Sequence, residues 1–222
     1  MSLYGRIFPI EQIPKDMPSL EALVDSLPFG FNEKNRLHSL RNEATLRQSL
    51  AAWLSLRDLS EFLSLTAPLT VLRTDLGKPY FPEPILPNFN LSHTQTVSVA
   101  VVNTERDVGV DVESLQKIRI NKDLEKIAHR FFSESEQKLL KNTDTPNDVF
   151  LQIWTKKEAL AKLTGEGLVS VIGKNSILPK PEIQSFRLQI DADVAYLTVA
   201  TNQVSEPIQW IGLTDSIQIH EI

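Results

Sequence analysis

Apolar residues recur along this chain with two different periods, and the switches between them divide it into elements. Residues 20–27 and 33–63 repeat at three- and four-residue spacing, and Leu46, Leu50, Trp53, Leu54 and Leu56 mark the buried side of the second segment, which reads as one long helix. Residues 66–75 then predict a short strand entered through Pro68, and 77–87 (GKPYFPEPILP) a rigid loop punctuated by proline. Two-residue alternation takes over at 89–92, 97–102 and 108–113, with hairpin-turn residues at 103–107 between the last two. Helical spacing returns at 123–132 and 133–140, where Ser133 and Glu136 form a capping-box pattern. Residues 149–163 carry the strongest helical pattern, stopped by Gly165 and Gly167. The tail is strand-like at 185–190, 194–200, 209–213 and 217–219. Helix followed by strand in both parts of the chain is an α+β pattern. A boundary near 103–107 divides it into residues 1–104 and 105–222, with no evident sequence repeat between them.

The strand at 108–113 holds the most chemistry. In GVDVE (109–113), Val108, Val110 and Val112 take one face while Gly109, Asp111 and Glu113 take the other. Two carboxylates pointing the same way repel unless a cation or donors sit between them. A divalent metal satisfies them; so does solvent, if the strand is an edge kept soluble by its acids. On the 149–163 helix, Phe150, Ile153, Trp154, Leu160 and Ala161 trace an apolar stripe with Glu158 and Lys162 on its flank. As an exposed i,i+4 pair those two are worth about 0.3–0.5 kcal/mol. Lys157 falls inside the stripe, where its stem must snorkel outward or its ammonium must meet a buried anion. Carboxylate-only ligation selects hard cations such as Mg²⁺, which share substrate phosphates, so acids beside lysines suit phosphoryl chemistry. FNLSHT (89–94) places Ser92 and His93 at a strand end, where adjacent side chains face opposite ways; the plain reading is a capped turn, the functional one a pair of phosphate donors. Lys78-Pro79 reads first as a turn, then as a cation on a rigid loop.

Composition narrows the function classes. The 222 residues suffice for one large or two small domains, and the absence of cysteine excludes disulfides, thiol nucleophiles and Cys-based zinc sites. No segment approaches the roughly 18–20 apolar residues of a membrane span, and the first residues lack the apolar core and cleavage pattern of a leader. The expectation is a cytoplasmic protein that acts without a membrane. A net charge of −5 argues against nucleic acid as a partner.

GKP (77–79), FNLSH (89–93), GVDVE (109–113), RFFSESE (130–136) and WTKKEALAK (154–162) followed by GEGL, in this order and spacing, resemble the signature of 4′-phosphopantetheinyl transferases. The resemblance is to the surfactin-synthetase type, about twice the length of the holo-acyl-carrier-protein synthase type, and it spans roughly residues 36–168. It implies two similar α+β halves in pseudo-twofold relation, each a small antiparallel sheet packed by a long helix, with coenzyme A between them. It also implies transfer of phosphopantetheine from coenzyme A to a serine of an apo acyl carrier or peptidyl carrier protein. Carried over by residue, Asp111, Glu113 and Glu158 would hold Mg²⁺. Glu158 would take the serine proton, directly or through water, and Lys162 would contact phosphate. Ser92 and His93 would bind the phosphate end of coenzyme A, and Lys78 and Pro79 would line the nucleotide pocket.

Lys34, Arg36, Arg41 and Arg47 are the basic residues available for the coenzyme 3′-phosphate, Arg47 foremost because it precedes the apolar run SLAAWL. Lys122, Lys126 and Arg130 repeat every four residues and read either as a solvated face or as a stripe for an acidic carrier or the coenzyme. A chain with both halves can form the site as a monomer. The competing readings are a Mg²⁺-dependent nucleotide pyrophosphate hydrolase and a noncatalytic coenzyme A or carrier-binding module.

Overall fold

The computed structural model describes residues 2–120, 124–167, 181–202 and 206–222. Its first strand, β1 (Leu3–Pro9), carries no clear alternation because it lies mid-sheet and most of its residues on both faces are buried. Helices α1 (Met17–Ser26), α2 (Phe31–His38) and α3 (Glu43–Phe62) follow. The single helix expected over 33–63 is therefore two. Asn42 separates them by accepting Thr45 N–H at 3.0 Å, a side-chain cap that starts α3 afresh. The strand expected over 66–75 shrinks to β2 (Leu72–Arg73). Part of the expected loop becomes β3 (Pro79–Tyr80), which pairs with β2 around Gly77 at φ +86°.

Strands β4 (Asn88–His93), β5 (Val97–Asn103) and β6 (Val108–Ser114) come next. Residues 103–107 do not close a hairpin between β5 and β6; they carry the chain from one sheet to the other, with Asn103 Oδ1 accepting the Glu105 and Arg106 amides at 3.1 Å. Helix α4 (Leu115–Ile120) is an element that the apolar pattern did not mark. It leads to α5 (Leu124–Phe131), α6 (Glu134–Lys141), α7 (Pro146–Thr164) and strands β7 (Glu182–Ile190), β8 (Asp193–Thr201), β9 (Gln209–Ile211) and β10 (Ile217–Glu221). Ser133 and Glu136 form the capping box at α6, and Gly165, left-handed at φ +71°, ends α7.

The strands form two four-membered sheets, ordered β4-β5-β1-β9 and β10-β7-β8-β6. All pairings in the second are antiparallel; the first departs from the expected antiparallel sheet because β9 returns from the tail to lie parallel to β1. Alternation along β5 sends Ala100 and Val102 to α3 and sends Val97, Val99 and Val101 to the other sheet, where Val108, Val110, Val112, Leu188, Leu197 and Val199 meet them. Each of these fully buried valines and leucines contributes about 1.5–3 kcal/mol. The mixed α+β fold thus has a shared sheet-on-sheet core, with α3 behind one sheet and α7 behind the other. No helix among the described residues is long and apolar enough to cross a membrane.

Candidate active site

Gly109 brings β6 against α7. A Cβ added there would stand 2.0 Å from Ala159 O and 2.5 Å from Leu163 N, so strand and helix meet backbone to backbone. The helix therefore buries Thr155, Ala159 and Leu163 deeply, while Trp154 and Leu160 are only half-buried. Of the expected stripe Phe150, Ile153 and Ala161 are buried as read, and the correction is that Thr155, Ala159 and Leu163 belong to the buried side where Trp154 and Leu160 only border it. Ala159 is small enough for the close approach, and Thr155 is satisfied by Leu151 O at 2.9 Å and Thr198 Oγ1 at 3.0 Å.

Two residues beyond Gly109 on the same face, Asp111 is buried and meets Lys162 Nζ at 2.7 Å. Ser92 Oγ from β4 donates to the same oxygen, Asp111 Oδ1, at 3.0 Å and accepts from Lys162 at 3.0 Å. Asp111 Oδ2 is buried and has no hydrogen-bond partner. Glu113, half-buried, lies farther along β6 beside Phe150, Leu151 and Trp154. Trp154, Glu158 and Lys162 succeed each other at four-residue spacing on α7, so Glu158 falls on the row whose ends approach Glu113 and Asp111. Among the described residues no three His, Asp or Glu side chains stand close enough together to hold a metal. The feature that fits a cation is the orphaned Asp111 oxygen, a hard donor whose burial is costly while it stays unpaired.

Beside this cluster opens a cleft of about 280 Å³ lined by Lys78, Pro79, Asn90, Glu158, Lys162 and Gly165, among others. Lys78 reaches it from the β2–β3 hairpin, donating to Leu163 O at 3.2 Å near the negative end of the α7 dipole. Burial holds its ammonium pKa below the usual lysine value, and Asp107 opposes that shift. His93 is exposed at the end of β4, on the opposite side from Ser92.

Arg47 is not brought to this cleft. It donates to the carbonyls of Ile10 and Ile13 at 2.9 and 3.0 Å and lines a different hollow with Lys15, Thr96 and Asp193. Lys34 donates to Asp25 O at 2.6 Å. Arg36 instead joins a cluster that the sequence pattern did not reveal: buried Glu33 accepts Arg36 Nε at 2.6 Å and Arg73 Nη2 at 2.9 Å, and Arg73 also donates to Gly77 O at the cleft's lip. Two guanidiniums on one carboxylate leave one excess positive charge beside Lys78. Asn90, equally unanticipated, accepts the Val110 amide at 2.9 Å.

Lys157 meets no phosphate here. Its ammonium pairs with Glu136 at 2.9 Å and lies 5.8 Å from the centre of the Phe132 ring. Burial pushes the Glu136 pKa up, but the Lys157 hydrogen bond and the capping bonds to Ser133 outweigh it and hold the carboxyl below its ordinary range. Lys126 lines a groove of about 990 Å³ with Ile118, Leu124, His129, Leu140 and Lys141. Arg130 is drawn over the Phe131 ring, 5.0 Å from its centre, and Lys122 lies outside the described residues, as does Leu168 of GEGL.

The sequence that forms this strand and helix is similar to that of known proteins. Residues 107–203, which include Asp111, Glu113, Glu158 and Lys162, match the family model described as the 4′-phosphopantetheinyl transferase superfamily. The 4′-phosphopantetheinyl transferase psf-1 of Bacillus pumilus is 30% identical over 169 residues, covering 73% of this chain and 70% of that protein. The chain belongs to this family. Two other 4′-phosphopantetheinyl transferases match shorter stretches: HetI of Nostoc sp. is 40% identical over 85 residues (37% of this chain, 35% of HetI), and Sfp of Bacillus subtilis is 32% identical over 96 residues (42% and 40%). Those alignments span little more than a third of each relative's length. Among phosphopantetheinyl transferases, then, the part matched by the family model is the β6–α7–β8 unit that carries the acids, while Lys78, Ser92 and His93 lie ahead of it.

Proposed function

We propose that this protein transfers the 4′-phosphopantetheine group of coenzyme A to the hydroxyl of a serine in an apo acyl or peptidyl carrier protein, releasing adenosine 3′,5′-bisphosphate. The observation that carries this reading is the Asp111–Ser92–Lys162 cluster at the cleft that also holds Glu158 and Lys78. A pyrophosphate entering such a cleft meets two lysines, and the excess charge of the Arg36–Glu33–Arg73 cluster stands at its lip for the coenzyme's remaining phosphate. Arg47, tied to two carbonyls elsewhere, is replaced in that role by Arg36 and Arg73.

Mg²⁺ would be held by Asp111 Oδ2, and would supply charge stabilisation on the pyrophosphate oxygens; Glu113 and Glu158, the other acids we propose for it, do not stand close enough here to complete the set without moving toward it. Lys162 spends two of the three N–H donors of its ammonium on Ser92 and Asp111 Oδ1, and the third is left for phosphate. In the reaction the carrier serine oxygen forms a bond to the phosphorus bearing the pantetheine arm, while the bond from that phosphorus to the bridging oxygen of the bisphosphate breaks. Glu158 takes the serine proton, directly or through a water, and Lys162 and Lys78 stabilise the charge gathering on the leaving group. The groove lined by Lys126, His129 and Lys141 over apolar Ile118, Leu124 and Leu140 suits an acidic carrier surface.

We also infer two similar halves, 1–104 and 105–222. In support, the order β4-β5-β1 in one sheet matches β7-β8-β6 in the other, and the long helix contacts the middle strand through hydroxyls in both: Ser55 with Ser98 at 3.2 Å, Thr155 with Thr198 at 3.0 Å. Aligning those pairs places Phe8 where Asp111 stands, because Phe8 pairs with Ser98 as Asp111 pairs with Thr198. Asp58 then corresponds to Glu158, but it is engaged by Arg6 at 2.9 Å. An apolar Phe8 in place of the central acid explains one reaction site in a chain with two such frames.

The test is the intact mass of an apo acyl carrier protein incubated with coenzyme A, Mg²⁺ and this protein, beside an EDTA control. A phosphopantetheine-sized gain abolished by EDTA is expected. Free phosphopantetheine would replace this reading by the hydrolase, and coenzyme A binding with no gain on several carriers by the binding module.

A further inference from the structure

Two sheet edges meet where the site is built. β4 ends one sheet and β6 ends the other, so each turns unpaired backbone groups toward its neighbour. No ladder joins them. Side chains of β4 reach across instead at matching two-residue spacing: Val110 N–H donates to Asn90 Oδ1 at 2.9 Å, and Val112 N–H to Ser92 Oγ at 3.3 Å. Asp111 lies between these two fixed amides.

The hydroxyl of Ser92 has one proton to give and two lone pairs to receive with. The proton goes to Asp111 Oδ1; the lone pairs take Lys162 Nζ and Val112 N–H. All three valences are used inside the protein, and Ser92 is buried. To donate to a substrate phosphate it would have to abandon Asp111, leaving a second buried carboxylate oxygen without that donor beside an Oδ2 that already lacks one.

We propose that Ser92 is a positioning residue rather than a coenzyme A contact: its hydroxyl locks Asp111 Oδ1 and Lys162 onto the seam between the sheets, so that only Asp111 Oδ2 is presented for chemistry. This rests on the transferase reading and reverses the expectation that Ser92 binds the phosphate end of the coenzyme.

The experiment compares wild type with Ser92→Ala, Ser92→Cys and Ser92→Thr, measuring coenzyme A affinity by calorimetry without carrier or metal, and kcat for carrier modification at saturating coenzyme A. Ser92→Ala leaves coenzyme A affinity within about two-fold but lowers kcat by about ten- to hundred-fold, the cost of a misplaced catalytic group. Ser92→Thr keeps the donor and recovers most of kcat. Ser92→Cys, close to serine in shape but a weak donor, stays low, which separates the hydrogen bond from packing; it also carries the test should Ser92→Ala lose cooperative melting. A loss of about ten-fold or more in coenzyme A affinity, as expected when a hydrogen bond to a charged group is removed, would place Ser92 on the substrate and overturn the proposal. Unchanged kcat in Ser92→Ala and Ser92→Cys would overturn it equally. A wild type that transfers nothing to any carrier would instead refute the transferase reading, and is seen before any variant is compared.

Discussion

Gly109→Ala tests whether the site is set by the contact between a strand and a helix. The new Cβ would stand 2.0 Å from Ala159 O, 2.5 Å from Leu163 N and 2.9 Å from Leu163 Cα. All three are backbone atoms of α7, so no rotamer change relieves the clash. To restore a 3.0 Å separation from the carbonyl the helix must retreat by about 1 Å. That movement would stretch the 2.7 Å Lys162–Asp111 contact past hydrogen-bond range. Overpacking of this kind costs about 3 kcal/mol, the upper part of its usual range, and lowers Tm by about 6–12 °C in a chain of this size. Transfer to carrier should fall by about a hundred-fold, because a 1 Å displacement of the groups proposed to act in transfer costs that much. Gly30→Ala is the control: its nearest neighbour is Leu69 O at 3.6 Å, an ordinary contact, and the change should stay within about 1 kcal/mol. Thermal melting followed by circular dichroism, with intact-mass kinetics, reads both effects. A Gly109→Ala protein with wild-type Tm and full transfer would refute the account of how β6 and α7 hold Asp111 and Lys162.

Lys162→Met should cut kcat by about 10²–10³-fold and destabilise by about 1–3 kcal/mol, since Asp111 is left buried without its ammonium partner; transfer kinetics and urea unfolding check each part. Glu33→Gln leaves Arg36 and Arg73 without the carboxylate that joins them, at a cost of about 1–3 kcal/mol in urea unfolding, and coenzyme A affinity in calorimetry should change with it. Glu136 has a folded pKa below its unfolded one, so its contribution is fully present at neutral pH and is lost as pH falls from the ordinary carboxylate range through the depressed value. With both partners partly exposed the Lys157 pair is worth about 0.5–1 kcal/mol, and Glu136→Gln should flatten that acidic limb in stability measured against pH.

Much of the α+β pattern was legible because local physics writes it directly. The alternation through Val108–Glu113 put the valines in the sheet-on-sheet core and Gly109 and Asp111 toward α7, and the Ser133–Glu136 capping box formed as spaced. Elements whose signal depends on burial were less visible. β1 lies mid-sheet and shows no polar alternation, Asn42 splits what the apolar period joins, and the turn-forming residues 103–107 serve a crossover because β5 and β6 find partners in different sheets. At the site, the residue types and their order marked Asp111, Glu113, Glu158 and Lys162 as candidates, and the fold sets Asp111 and Lys162 in direct contact. Their partners were decided in three dimensions. Lys157 turned to Glu136, Arg47 to two loop carbonyls, and Ser92 to Asp111 across 19 positions of sequence. Side-chain period follows from backbone geometry over a few neighbouring residues, whereas a buried donor or acceptor takes whatever partner the packed fold brings within 3 Å, and that choice is made only when the two sheet edges meet.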